Sequence, residues 1–286
     1  MTTEPKTELF SHSRLASFED CAKKYEYRYL QKIPRDVESI EGFVGKRVHE
    51  VLERLYGFVG KGMVPSLGKV LERYRAFWEE HYDATRVRIV RTENDVNHYR
   101  ALGEHCLTNY YRRFYPFDAD ETIALEERVL FSLDSAKQYR IQGFVDRIVR
   151  AQDDVIEIHD YKTSARVPSQ SKLDSDRQLA LYQMGLAHRF GVDRPMRLVW
   201  HYLARNQTRV STRNAEQLQL LREKTMGLID RIRVASEFEP KLSPLCKWCE
   251  FADICPAQAE LRETRGEPPH PVDHPDPPPR RQLPLL

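Results

Sequence analysis

The chain lacks several features that would place it in particular classes. No stretch approaches the ~18 consecutive apolar residues of a membrane span, and Met1 to Lys6 has no apolar run of the signal-peptide kind, which predicts a cytoplasmic location. Five cysteines in 286 residues are too few for a secreted disulfide scaffold. There is no internal repeat, and no Gly-x-x-x-x-Gly-Lys-[Ser/Thr] loop, so any nucleotide-driven motor would belong to a separate partner. Neither charge sign prevails: Lys+Arg 45 against Asp+Glu 43 leaves +2. Such a balance neither implies nor excludes a polyanionic ligand, because local patches decide that. With 41% hydrophobic and 31% charged residues, the chain is globular, with the length of one large domain or two small ones.

Hydrophobic periodicity then lays out the elements. Leu15, Phe18, Ala22, Tyr25 and Tyr29 recur at helical steps and predict one helix over Ser13–Leu30, with Ser11 or Ser13 as cap. Val44, Val48, Val51, Leu52 and Leu55 form an apolar stripe that predicts a second helix over Phe43–Phe58. Residues 66–115 are charged, aromatic and helix-like, and read as a helical insertion (about 60–118). After Pro116 the pattern turns β-rich, with runs at Thr122–Leu133, Tyr139–Ala151 and Asp154–Thr163 that predict an antiparallel meander. A helix over Ser175–Phe190, strands at Met196–Ala204 and Thr208–Thr212, and a helix over Ala215–Ser236 complete the expected α/β domain (1–265). Eight of the 17 prolines fall in 266–286, a density that predicts a disordered tail.

Three positions carry potential chemistry together. Asp146 lies in Gly-Phe-Val-Asp-Arg within the second strand, Asp160 ends the third with Lys162 two residues on, and His49 lies on the second helix. A two-residue step on a strand returns to one face, so Asp160 and Lys162 point together while Tyr161 points away and can offer its carbonyl. Adjacent antiparallel strands would bring Asp146 alongside Asp160. Carboxylate and carbonyl oxygens suit Mg²⁺ or Mn²⁺, and an imidazole suits Mn²⁺. Each piece has a plainer reading as well: a solvated strand end for Asp-x-Lys, a surface ion pair for Asp146–Arg147, a core-edge histidine for His49.

Their order and context resemble the RecB-like nucleases of the PD-(D/E)XK superfamily. The similarity runs from Ser11 to Cys21, through Gly45-x-x-x-His49-x-x-Leu52-Glu53 and Gly143-x-x-Asp146-Arg147, to Asp160-Tyr161-Lys162-Thr163 and Gln178-x-x-x-Tyr182. It departs at Ala22, where family members often carry proline. The resemblance implies a restriction-endonuclease-like core, a mixed sheet with flanking helices. It implies a divalent metal held by His49, Asp146, Asp160 and the Tyr161 carbonyl, a catalytic Lys162, and Gln178 and Tyr182 positioning the lysine or the strand. The expected activity is metal-dependent DNA cleavage, most simply exonucleolytic trimming of single-stranded ends or flaps in repair or recombination, with a separate helicase supplying any unwinding. The alternatives are a non-catalytic DNA-binding scaffold of the same fold and a nuclease processing CRISPR-adaptation intermediates.

Cys246-x-x-Cys249-x5-Cys255 closes the globular region (segment 240–258), and Cys21 lies far upstream. In a cytosolic protein this pattern points to metal rather than to disulfides. Zinc sites usually draw ligands as two local pairs, whereas one distant cysteine plus three close together resembles the iron–sulfur variants of the family, of AddB and CRISPR-associated type. That resemblance implies a structural [4Fe-4S] cluster on Cys21, Cys246, Cys249 and Cys255. Cys106 reads as a core thiol. Lys23, Lys24, Arg28 and Lys32 interleave with tyrosines and could line a single-strand path. The last five residues, Gln282–Leu286, resemble the peptide by which bacterial proteins dock on the sliding clamp.

Overall fold

In the computed structural model, which describes residues 8–191 and 194–265, capping side chains set where the helices begin. The chain runs through β1 (Leu9–Phe10), α1 (His12–Asp20), α2 (Ala22–Tyr25) and a π-helical turn (Glu26–Leu30). There follow β2 (Glu38–Ser39), α3 (Ile40–Val59), α4 (Leu67–His81), β3 (Val87–Arg88) and α5 (Val96–Phe114). Then come β4 (Asp120–Ser132), β5 (Arg140–Ala151), β6 (Ile156–Lys162), α6 (Gln170–Asp174), α7 (Gln178–Phe190) and β7 (Met196–Tyr202). The chain continues with β8 (Gln207–Thr212), α8 (Ala215–Val234), a 3-10 turn (Pro244–Trp248) and α9 (Pro256–Arg265). Ser11, Ser39, Ser66 and Asp95 each accept a backbone N–H at the head of α1, α3, α4 and α5, and Asn214 with Gln217 forms a capping box on α8.

Six strands form one mixed sheet. β4, β5 and β6 make the expected antiparallel meander, β7 runs parallel to β6, β8 antiparallel to β7, and β1 parallel to the start of β5. Helices cover both faces. On one face α3, α4 and α5 share a core with Tyr161 and Leu203. On the other, α7 covers Ile156, Ile158, Leu198 and Trp200, and α1 and α8 close over Phe10 and Ile141. Each fully buried side chain of this size contributes roughly 1.5–3 kcal/mol of transfer free energy. The alternation in β6 supports the layers, since Ile156 and Ile158 face α7 while Tyr161 faces α3.

Three expectations need correction. The helix expected over Ser13–Leu30 is broken at Cys21, whose backbone is extended (φ −162°, ψ 111°); there its sulfur accepts the Lys241 N–H at 3.4 Å. The helix expected from Ser175 begins only at Gln178, whose N–H donates to the Asp176 carboxylate at 2.9 Å, and a separate short helix, α6, precedes it. Residues 87–88, read as helical, pair with β2 in a small parallel ladder; two residues are too few to show an alternating pattern. The peptide Gln282–Leu286 and the rest of the tail lie outside the described residues.

Two strands separate where the expected site residues lie. β5 pairs with β6 only from Arg147↔His159 to Arg150↔Ile156, and with β1 at Arg140 and Ile141. Residues 142–146 therefore border a fork on that edge. Val145 and Ile148 both join the α7 core, while Arg147 lies 3.6 Å from the Tyr56 ring on α3, so the alternation slips one place beside Asp146.

Candidate active site

The fork gathers the expected residues in two adjoining groups. Past Arg147 the ladder no longer supplies an acceptor for the Tyr161 N–H, and Asp146 Oδ2 accepts it instead at 2.7 Å. His49, on the sheet-facing side of α3, donates from Nε2 to the Tyr161 carbonyl at 2.9 Å and places Nδ1 3.5 Å from Asp146 Oδ2. Glu126 joins them from β4. Its backbone has φ +46°, a left-handed conformation rare for a non-glycine residue. Ligand atoms of His49, Glu126 and Asp146 all lie within 4.8 Å of one another.

Asp160 belongs to the second group. Its Oδ1 accepts from Lys162 Nζ at 3.0 Å and from Gln178 Nε2 at 3.0 Å, and its Oδ2 lies 2.8 Å from Lys162 Nζ. Lys162 Nζ also donates to Gln178 Oε1 at 3.1 Å, so the lysine is clamped between strand and helix. Tyr182, one turn along α7, packs against Gly143: a Cβ there would stand 2.1 Å from the ring. All seven expected residues thus line the fork, although Asp160 lies outside the tightest trio. Glu126 was not foreseen, because its place depends on the β4–β5 register and on an irregularity in β4 that a single sequence does not display.

Electrostatics match this crowding. Burial alone would lower the His49 pKa, but the hydrogen bond and charge of Asp146, with Asp160 and the Tyr161 carbonyl, raise it to about 9. Burial and then the Asp146 charge push Glu126 up to about 7. Burial raises Asp160 to about 6 against the pull of Lys162. Burial alone would lower Lys162, but the charge and hydrogen bond of Asp160, together with the charges of Asp146 and Asp176, raise it. The carboxylates of Glu126, Asp146 and Asp160, with the His49 imidazole, make a donor set suited to a hard divalent cation.

Other candidates fall differently. Arg147 is not a surface partner of Asp146; it is 1% exposed, donates to Thr122 Oγ1 at 2.8 Å and is ion-paired to Asp120. His159 is buried with His201: His201 Nε2 lies 3.0 Å from His159 Nδ1, and His159 Nε2 lies 2.8 Å from Glu157 Oε2. Lys23, Lys24 and Arg28 are paired with Glu26 and Glu250, which leaves little of the expected single-strand path; Lys32 is exposed. Cys106 is fully buried. Cys21, Cys246, Cys249 and Cys255 line one cavity between α1–α2 and the C-terminal segment, and the Ser243 N–H donates to Cys246 Sγ at 3.4 Å.

A mixed α/β core whose sheet opens onto clustered carboxylates, an imidazole and a clamped lysine defines a nuclease-type site. The chain belongs to the PD-(D/E)XK nuclease superfamily, whose sequence profile matches residues 9–256. No curated protein matches it. Among solved structures, it is similar to SSO0001 at 16% identity, covering 90% of this chain and 89% of that one, with a TM-score of 0.39. It is also similar to a proposed exonuclease from Eubacterium rectale at 12% identity, with the same coverages and a TM-score of 0.48. Similarity at that level bears on neither activity nor substrate. No helix among the described residues is long and apolar enough to cross a membrane.

Proposed function

We propose that the protein is a divalent-metal-dependent deoxyribonuclease acting on single-stranded ends or flaps. The observation that carries this reading is the approach of His49, Glu126 and Asp146 donors to within 4.8 Å, beside the Asp160–Lys162–Gln178 cluster. His49, Asp146, Asp160 and the Tyr161 carbonyl would hold Mg²⁺ or Mn²⁺, with Glu126 as a further donor. Such an ion supplies Lewis-acid polarisation of a phosphate oxygen and a bound water of lowered pKa. Lys162 presents an ammonium group to the attacking oxygen and to charge developing on the phosphate. Gln178 fixes that ammonium by accepting from it while donating to Asp160. Tyr182 supports the arrangement from beneath, in the space that Gly143 leaves free.

The test is cleavage of a labelled single strand with Mn²⁺ by wild type, D146A and K162A. Loss of about 10²–10³-fold in both variants is expected. Equal cleavage by all three would remove the assignment, and absence of cleavage by wild type with strand binding retained would favour the non-catalytic scaffold.

The same reading includes a structural [4Fe-4S] cluster on Cys21, Cys246, Cys249 and Cys255. Its support is that Cys21 and the three clustered cysteines more than two hundred residues later share one cavity of about 60 Å³ and that backbone N–H groups point at two of the sulfurs.

A further inference from the structure

The sheet face that bears Asp146 continues beyond it, uncovered among the described residues. Phe144 stands directly across the ladder from Arg128, and Gln142 from Leu130. Two-residue steps put Gln142, Phe144 and Asp146 on one face of β5, and Glu126, Arg128 and Leu130 on the matching face of β4. The alternate residues Val129 and Val145 point into the α7 core instead. Phe144 is 54% exposed and Leu130 46%. The hydrogen bond that the Arg128 guanidinium makes among the described residues goes to a neutral group, Gln142 Oε1, at 3.0 Å. An aromatic ring and an arginine not neutralised by a carboxylate thus occupy the row next to Glu126 and Asp146, about 6.6 Å along the strands.

We infer that this ribbon face binds an unpaired nucleotide of the substrate strand, with a base stacked on Phe144 and a phosphate held by Arg128. This rests on the nuclease reading for what happens next to it, but not for the binding itself. Unpaired bases are the occupants that fit. An open π-face meets a ring only when the base is free of a duplex stack, and stacking of this kind tolerates any base. Continuity with the carboxylate cluster gives the platform its role, which is to align the strand so that the following phosphodiester reaches the fork. Phe144 is a positioning residue in this scheme, not a catalytic one.

The test measures binding without cleavage, by anisotropy of a labelled oligothymidylate and of a blunt duplex in Ca²⁺, for wild type, F144A, F144W and R128Q. F144A is expected to weaken single-strand binding roughly 10-fold, with duplex binding changed by less than about twofold. R128Q should reduce the salt dependence of strand binding by about one unit of slope. F144W should retain affinity and add tryptophan emission that the strand quenches beyond the wild-type signal. Single-strand binding by F144A within about twofold of wild type, an unquenched F144W, or equal losses on strand and duplex would each overturn the platform. Cleavage by wild type in Mn²⁺, followed in parallel, keeps the two readings apart. Intact cleavage with unchanged F144A binding sinks the platform alone. No cleavage with F144A binding lost sinks the nuclease reading alone.

Discussion

At the scale of single residues the site is a contest between burial and charge, and its outcome sets a pH dependence. The His49 pKa is raised from 6.5 to about 9, so its stabilisation is complete below 6.5 and disappears as pH climbs through 9. Glu126, raised from 4.5 to about 7, acts in the same direction at lower pH. The buried His159 and His201, both held well below 6.5, act oppositely: stability falls as acid forces them to protonate. Metal-free protein should therefore melt highest near neutrality and lose roughly 3–6 °C towards pH ~9, and H49Q should flatten that decline. Mn²⁺ competes with the same protons, so it should raise the melting temperature more at pH ~8.5 than at ~6.5. Calorimetry in chelator and in Mn²⁺ checks both. E126Q should weaken Mn²⁺ binding by an order of magnitude or more in a titration, and an unchanged affinity would exclude Glu126 as a ligand. His49, Asp146, Asp160 and Lys162 were legible in the chain because each lies in a compact local pattern. Glu126 was not, since a carboxylate in an ordinary β run becomes a neighbour of Asp146 only once strand register is known.

Among elements, the glycines at close approaches make the sharpest test of how α7 and α5 are seated. A methyl at Gly143 would meet the Tyr182 ring at 2.1 Å, and one at Gly103 would meet the Tyr74 hydroxyl at 1.9 Å. Both sites are too tight for a Cβ without displacement, and G143A and G103A should each cost about 1–3 kcal/mol in denaturant unfolding. Only G143A should also depress cleavage, because Tyr182 sits beside Gln178 and the Lys162 clamp, whereas Gly103 lies in the α4–α5 contact. Periodicity located the long helices and the meander well, since apolar stripes and alternation are properties of one element at a time. It missed the break at Cys21, where residues before and after still follow a helical rhythm, and it missed β1 and β3, whose existence depends on a partner strand.

For the whole molecule, the cysteine cavity joins the first helices to a segment more than two hundred residues later. An anaerobic preparation should be brown and contain about four irons and four sulfides per chain. A colourless protein with stoichiometric zinc would overturn the cluster. C21S should lose the chromophore and lower the melting temperature, because it releases the α1–α2 end of the closure. Sliding-clamp binding, tested with and without Gln282–Leu286, checks the peptide, and binding that survives the deletion, or no binding at all, would discard it. This level of organisation was least visible in the chain, since thiol spacing suggests a shared ligand but does not say which surfaces it closes.

The parted strands leave one amide with an unusual custodian. Most N–H groups in the sheet are guarded by a carbonyl of the next strand, but that of Tyr161 is guarded by the Asp146 carboxylate. Its solvent-exchange rate is therefore an intrinsic gauge of where that side chain points. Any ion, strand or mutation that draws the carboxylate away should unlock this proton while its neighbours in the ladder with β7 stay protected.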